Sequence, residues 1–331
     1  MVGLLIAWQV SQVLLLVFAG VVVATILLSI ADLFSRWTPL SRRWGLRLGI
    51  LLFIALVAGV PLLFGVRVTG ELDNLVRSIP DLIDNAGRQL GIEDLSAQVN
   101  GVWSGAWQDS IFSSLAGYTS NVVGILTSVV LVLFGGIFLA LDAQTYREGA
   151  LKLVPSRQRD NVRDVMSEAG QALRLWLLGQ LLAMLVVGGV TAAGLMLLGV
   201  PSALALGILA GLLEFIPFLG PILAYGVALL VALTIDFNMV IWVTVLYVVL
   251  QQVESNILVP LIQKRTVELP PALGLFALVA ISSLFGPLGL LLGVPLTVVA
   301  LVAVKHLYIR DVLNEETRMP GDKSDDEEAA E

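Results

Sequence analysis

The 331-residue sequence contains no cysteine and a single histidine, His306. Without cysteine, disulfide bonds, thiol catalysis and cysteine-ligated metals are excluded, and one histidine cannot build a multi-histidine metal site. We find no His–Glu zinc motif, no aspartate pair and no glycine-rich phosphate-binding loop in the sequence. The sequence therefore predicts no enzymatic activity, neither of an intramembrane protease nor of an ATPase, and no metal, cofactor or nucleic-acid partner.

Charged residues are also scarce, at 14% of the chain, whereas about a quarter of a soluble domain is charged. Hydrophobic residues reach 57%, and the mean hydropathy is +0.92. A soluble fold of this length cannot hide so much apolar surface, so lipid must be the solvent for much of it. The first apolar run, 4–30, is longer than the core of a signal peptide, about 7–15 residues. We interpret it as a retained membrane segment, either one long tilted span or two short arms separated at Gln9 and Gln12.

Several apolar runs have the length of a membrane-spanning helix, about 20 residues. They are 48–66, 122–141, 175–200 and 239–262. Two further stretches, 202–235 and 271–304, are too long for one span and are broken by proline and glycine at 216–221 and 285–289. The arms before the breaks, about 14–15 residues, are short for a full crossing. The pattern predicts an all-α, multi-span membrane bundle with two broken helical hairpins; ordinary two-span hairpins with tight loops are the alternative.

Lysine and arginine in the connections predict the orientation, because they favour the cytoplasmic side. The connection 142–174 is basic and its periodicity is that of an amphipathic helix, whereas 67–120 is acidic and helical by periodicity. The former is expected in the cytoplasm and the latter outside, and the two hairpins then open to opposite faces. The predicted organisation is N-terminal membrane helices 1–66, an extracytoplasmic helical segment 67–120, a permease core 121–310 that includes 142–174, and an acidic, disordered cytoplasmic tail 311–331.

Polar side chains inside the apolar runs are the candidate site. Glu214 precedes the first break, and Glu254 lies in a later run; we favour function for both, because a lone carboxylate at membrane depth is costly. At 100° per residue, polar residues 251–256 form one broad arc opposite Leu250, Val253 and Ile257. The polar residues of this arc are Gln251, Gln252, Glu254, Ser255 and Asn256. For its two glutamines and its asparagine, hydrogen bonding between helices is as good an explanation as binding a solute.

Proline and glycine complete the candidate pathway. Pro260 removes a backbone donor and frees a carbonyl about one turn earlier, which suits a cation site. The hairpin tips are predicted to be shaped by Pro217, Gly220, Pro221, Gly286 and Pro287. Gln180 is a weaker candidate, and His306 is expected to lie simply at the membrane interface. Four other glycines are expected to allow close helix packing: Gly188, Gly189, Gly207 and Gly211.

These motifs resemble the autoinducer-2 exporter family, also called PerM-like permeases. The similar segments are Pro201 to Gly207, Leu213 to Pro221, Leu178-Gly179-Gln180, Gln252 to Pro260, Phe285 to Gly289 and Val294-Pro295-Leu296. They span roughly residues 4–310. One departure is Leu269-Pro270-Pro271, where many members have Leu-His-Pro. The resemblance implies a bacterial-type inner-membrane permease with a small extracytoplasmic domain. It also implies assembly as a homo-oligomer, for example a pentamer.

Three functions fit the sequence. The first is export of a small polar solute, which the resemblance suggests is a quorum signal of the autoinducer-2 type. The second is sodium or other cation/proton antiport, with Glu214 or Glu254 exchanging the proton. The third is a non-transporting membrane scaffold that binds a partner through its outward segment or its acidic tail.

Overall fold

The structure is a computed structural model that describes residues 2–37, 41, 44–55, 59, 122–263 and 270–313. All regular secondary structure within these ranges is helical, which confirms the predicted all-α class. The predicted extracytoplasmic segment 67–120 and the acidic tail from residue 314 onward lie outside the described residues.

Ten α-helices follow one another along the described chain. They are α1 Val2–Trp37, α2 Trp44–Ala55, α3 Val122–Leu141, α4 Ala143–Lys152, α5 Arg159–Leu197, α6 Ala203–Leu213, α7 Leu219–Leu233, α8 Phe237–Val253, α9 Val259–Gln263 and α10 Pro271–Val304. A 3-10 turn, Ser156–Gln158, precedes α5. Two π-helical turns, Glu254–Leu258 and Lys305–Arg310, follow α8 and α10.

Four helical runs among the described residues are long and apolar enough to cross a membrane: Gln9–Ser35, Ser156–Leu197, Phe237–Leu261 and Pro271–Arg310. A fifth results if α3 and α4, which meet at a bend of 92°, are counted as one broken span. The chain is therefore a multi-pass membrane protein, as its composition predicts.

Two helices are longer than a single crossing requires. α1 is continuous over 36 residues, which decides between one span and two short arms in favour of one. α5 is continuous over 39 residues, roughly 58 Å, so the second half of the predicted connection 142–174 belongs to the same helix as the following span. The sequence explains this continuity, because no proline occurs between Pro155 and Pro201.

The described chain divides into two compact units. The first comprises residues up to 53, 130–183 and those from 253 onward; the second comprises 54–129 and 184–252, as far as each range is described. In the first unit, α1 and α3 approach closely at glycine. A Cβ atom on Gly136 would lie only 2.6 Å from Val23 Cγ1, and one on Gly20 would lie 3.4 Å from the Gly136 nitrogen. An ion pair of 2.9 Å between Arg174 and Asp32 joins α5 to α1.

The backbone of α10 reverses at Gly286, although its length and composition are those of one long span. Gly286 has φ 61° and ψ −141°, outside the helical region. A Cβ atom on Gly289 would overlap the Ile281 carbonyl group, and one on Gly293 would lie 3.1 Å from Leu278 Cδ1. In an unbroken helix, residues 281 and 289 would be about 12 Å apart along the axis. These contacts require two arms folded against each other, which confirms the predicted break at 285–289.

The second unit is built around the hairpin of α6 and α7, which confirms the predicted break at 216–221. The two arms share a core of small and branched residues: Leu206, Ala210, Ala224, Ala228 and Ala232.

Glycine lets α6 approach the second half of α5 at backbone distance. A Cβ atom on Gly188 would lie 3.0 Å from the Gly207 carbonyl oxygen, and one on Gly211 would lie 2.6 Å from that of Met184. The packing role expected for Gly188, Gly207 and Gly211 is confirmed. It is wrong for Gly189, which faces open space.

Candidate functional site

Glu214 ends α6 and is the most enclosed acid among the described residues. Its backbone N–H donates to the Ala210 carbonyl oxygen at 3.0 Å, and only 3% of the residue is exposed. The side chain is thus surrounded by protein and not by lipid. The candidate site is therefore built around this buried carboxyl group, at the point where the apolar helix is broken.

The tip after Glu214 is a γ-turn centred on Phe218. Phe218 has φ 69° and ψ −47°, and the Leu219 N–H donates to the Pro217 carbonyl oxygen at 2.9 Å. A γ-turn with positive φ is rare and strained, above all for a bulky residue. Strain of this kind concentrates at functional sites. Gly220 is buried directly behind the turn, and a Cβ atom there would overlap the Leu213 carbonyl group, so this position requires glycine.

Hydroxyl groups tie the second arm of the hairpin to α8. Thr244 donates to the Val240 carbonyl oxygen at 2.7 Å, so the Tyr225 hydroxyl donates to Thr244 Oγ1, 3.0 Å away. The Tyr247 hydroxyl donates to the Ala224 carbonyl oxygen at 3.3 Å. These bonds fix α7 on α8 in the same unit that holds Glu214, and sequence reasoning had not singled them out.

The polar arc is built differently from an ordinary α-helix. Residues Glu254–Leu258 form a π-helical turn just before Pro260. Pro260 has no N–H to donate to the carbonyl group of Asn256, four residues earlier, and a widened turn accommodates that loss. π-Turns inside helices are frequent at functional sites.

The wide turn changes which side chains share a face. A buried stripe runs through Val243, Tyr247 and Leu250 and continues with half-buried Glu254 and buried Leu258. Glu254 therefore lies with the buried side. The other polar members of the arc are exposed: Gln251, Gln252, Ser255 and Asn256.

The three apolar residues placed opposite the arc differ in exposure. Leu250 is buried, whereas Val253 and Ile257 are 42% and 54% exposed. An apolar side chain on the outside of a membrane helix faces lipid, so an apolar side opposite the arc stays a prediction.

The candidate residues occupy separate places in the chain. Glu214 and Pro217 stand at the α6–α7 tip with Gly220 and Pro221, in the second unit. Gly286 forms the tip of α10 in the first unit, where it and Pro287 are exposed. Gln180 is half-buried in α5. Among the described residues, no three histidine or acidic side chains are arranged to hold a metal ion.

His306 belongs to a polar network, which corrects the expectation that it only lies at an interface. It is 5% exposed, and its Nδ1 atom is 2.6 Å from Glu168 Oε2. The Asn161 side chain donates to Asp311 Oδ2 at 2.6 Å, which leaves Asn161 Oδ1 to accept from His306 Nε2 at 3.0 Å. One further proton, on the ring or on the carboxyl group, must lie between Nδ1 and Oε2.

The sequence puts the two partners of His306 on one helix face but gives no sign that this face meets the histidine. Asn161 and Glu168 are seven residues apart on one face of α5, and they face the end of the chain's last apolar run.

A multi-pass helical bundle, with helices broken at membrane depth and an acid enclosed beside one break, has the architecture of a membrane transport protein. Comparison with known proteins makes the class specific. Residues 1–309 match the family described as AI-2E family transporter, and the chain belongs to that family.

Several known proteins are similar to this chain over most of its length. A "Putative transport protein" of Mycobacterium tuberculosis is 32% identical over 262 residues, 75% of this chain and 67% of its own length. The "Putative transport protein YueF" of Bacillus subtilis is 26% identical over 264 residues, 74% of this chain and 71% of its own. The "Putative permease PerM" of Escherichia coli is 26% identical over 291 residues, 81% and 80% of the two chains.

Proposed function

We propose that this transporter moves a small polar solute across a bacterial-type inner membrane, and that the solute is a signal of the autoinducer-2 type. Glu214, beside the strained tip of α6 and α7, is the central group of the pathway. The remaining candidates line it or shape it: Pro217, Gly220, Pro221, Gln251, Gln252, Glu254, Asn256, Pro260, Gly286 and, more weakly, Gln180.

The observation that carries this proposal is the enclosure of Glu214 at a helix break. An acid 3% exposed is kept out of lipid by the protein around it, and a carboxyl group that is so costly to place in a membrane protein is a functional-site candidate. A hydroxyl-rich solute is recognised by such groups through hydrogen bonds.

Cation/proton antiport is the second candidate. It is favoured by the same burial of Glu214, and also by the π-turn that carries Glu254, because π-turns inside helices are frequent at functional sites. In this mechanism one of the two acids would exchange its proton for the cation.

We further propose that the protein works as a homo-oligomer, with its C-terminal tail in the cytoplasm. The exposed polar residues Gln251, Gln252 and Asn256 support an assembly, since polar side chains on the outside of a membrane helix are stabilised by a second helix. The distribution of lysine and arginine supports the orientation.

Transport by the purified full chain in liposomes tests the proposal. Glu214→Gln keeps the size and hydrogen-bonding capacity of the side chain but removes its charge. We expect uptake of autoinducer-2 to fall about tenfold, because a hydrogen bond to a charged group is replaced by a weaker one to a neutral amide, a difference of about 1.4 kcal/mol. Asp164→Asn is the matched control, because Asp164 is an exposed acid on α5, and its transport should be unchanged.

A pH-sensitive dye and a sodium gradient in the same liposomes separate the two candidates. Proton movement that depends on sodium, and that is lost in Glu214→Gln or Glu254→Gln, would favour antiport. Undiminished autoinducer-2 uptake in both variants would refute the role of these acids in the pathway.

A further inference from the structure

A basic pocket of about 640 Å³ lies between α4 and the beginning of α5, and none of its lining residues is a candidate pathway residue. Its charged lining residues are four cations, Arg147, Lys152, Arg159 and Arg163, and one anion, Glu148. The lining residues therefore have an excess of three positive charges, of which that of Arg163 is also paired with Asp160 at 2.7 Å. A cavity with this balance favours an anion.

Two of the arginines are held in place by backbone carbonyl groups. Arg159 Nε donates to the Val154 carbonyl oxygen at 3.0 Å, and Arg147 donates to that of Arg163 at 3.2 Å. Each guanidinium group has five N–H donors, so donors remain for a ligand after these bonds are made. The side chains are thus pre-positioned, and less conformational freedom is lost when an anion binds.

The pocket stands where a membrane span ends. The apolar helix α3 finishes at Leu141, and α4, which supplies six of the eight lining residues, leaves it at 92°. A helix perpendicular to a span runs along the membrane surface. Leu153, at the end of α4, is 89% exposed, which is costly in water and favourable at the acyl boundary.

We propose that this pocket binds the phosphate group of an anionic phospholipid headgroup. The arginine forks match the oxygen atoms of a phosphodiester, and the three-charge excess distinguishes an anionic headgroup from a zwitterionic one. Leu153 contacts the acyl region next to the bound headgroup. The lipid anchors the α3–α4 bend at the membrane surface.

Native mass spectrometry of the purified full chain tests the site with phosphatidylglycerol as the probe. The double variant Lys152→Gln/Arg163→Gln should weaken phosphatidylglycerol binding at least tenfold, because it removes two of the pocket's charges and leaves the anchored Arg159 untouched. Arg157→Gln is the matched control: Arg157 is exposed in the same connection but does not line the pocket, so its affinity should stay within twofold of wild type. Lys152→Arg/Arg163→Lys, which keeps both charges, should restore binding.

Phosphatidylcholine and inorganic phosphate are the comparison ligands. Equal binding of phosphatidylcholine would overturn the proposal, and so would an equal loss in Arg157→Gln, since that would reveal diffuse attraction and no site. If inorganic phosphate displaces phosphatidylglycerol at matched concentration, the assignment to a lipid fails.

Should the double variant not fold, Lys152→Gln alone serves, because the Lys152 side chain makes no hydrogen bond or ion pair with the described residues. Unchanged affinity in this single variant would also overturn the proposal. None of these measurements depends on transport activity.

Discussion

Replacing Gly286 by alanine tests whether α10 is a hairpin or a straight helix, because the two conformations predict stability changes of opposite sign. At φ 61° and ψ −141°, a residue with a Cβ atom is strained by about 1–3 kcal/mol. No atom lies within 4 Å of the position where that Cβ would stand, so no steric clash adds to the cost. Gly286→Ala should therefore lower the free energy of unfolding by about 1–3 kcal/mol.

The opposite sign follows from an unbroken helix. In a helix interior, alanine is more favourable than glycine by up to about 1 kcal/mol, so a straight α10 would be stabilised by the same substitution. Gly189→Ala provides this comparison within the protein, because Gly189 lies inside α5 and also faces open space. It should be neutral or stabilising.

Unfolding in mixed detergent micelles, followed by circular dichroism, measures both variants against the wild type. A Gly286→Ala protein as stable as Gly189→Ala would refute the hairpin. Gly289→Ala extends the test, since its methyl group would meet the Ile281 carbonyl group only if the two arms are folded together.

Two further substitutions test the γ-turn and the histidine network. Phe218→Gly should stabilise the protein by about 1 kcal/mol, because relief of positive-φ strain exceeds the entropic cost of glycine and the 45% exposed ring buries little; destabilisation in the same unfolding assay would contradict the γ-turn. His306→Ala should cost about 1–3 kcal/mol, since Glu168 and Asn161 lose their ring partner. Tyr308→Ala, at a 56% exposed neighbour, should change stability by less than about 0.5 kcal/mol, and equal costs for the two would argue against the network.

The breaks in the membrane helices could be predicted because they depend on local chemistry. Gly286 precedes a proline, which disfavours the helical conformation at the residue before it, and Pro217 and Pro221 remove donors from the other turn. The burial of Glu214 within the protein could also be predicted, because placing a carboxylate in lipid costs free energy.

Three features were not predicted from the sequence, one because its partners are far along the chain and two for local reasons. His306 is joined to Asn161 and Glu168 across 145 and 138 residues, a pairing that no periodicity encodes. The π-turn at Glu254 is a local feature, but the α-helical and π-helical conformations of such a segment differ little in free energy. The pattern of polar residues is compatible with either conformation. The strain at Phe218 could not be predicted for another reason. A glycine such as Gly286 suggests a positive φ, whereas a bulky residue does not.

The contact between α5 and α6 has a mechanical consequence. Where Gly188, Gly207 and Gly211 meet, the nearest atoms are backbone atoms and the small Ala192 side chain, so no large side chains interlock. Interdigitated side chains must change rotamer, one after another, before two helices can slide, whereas smooth faces can shear along each other in small steps. The glycine contact between α5 and α6 is thus also the surface along which the hairpin carrying Glu214 can slide.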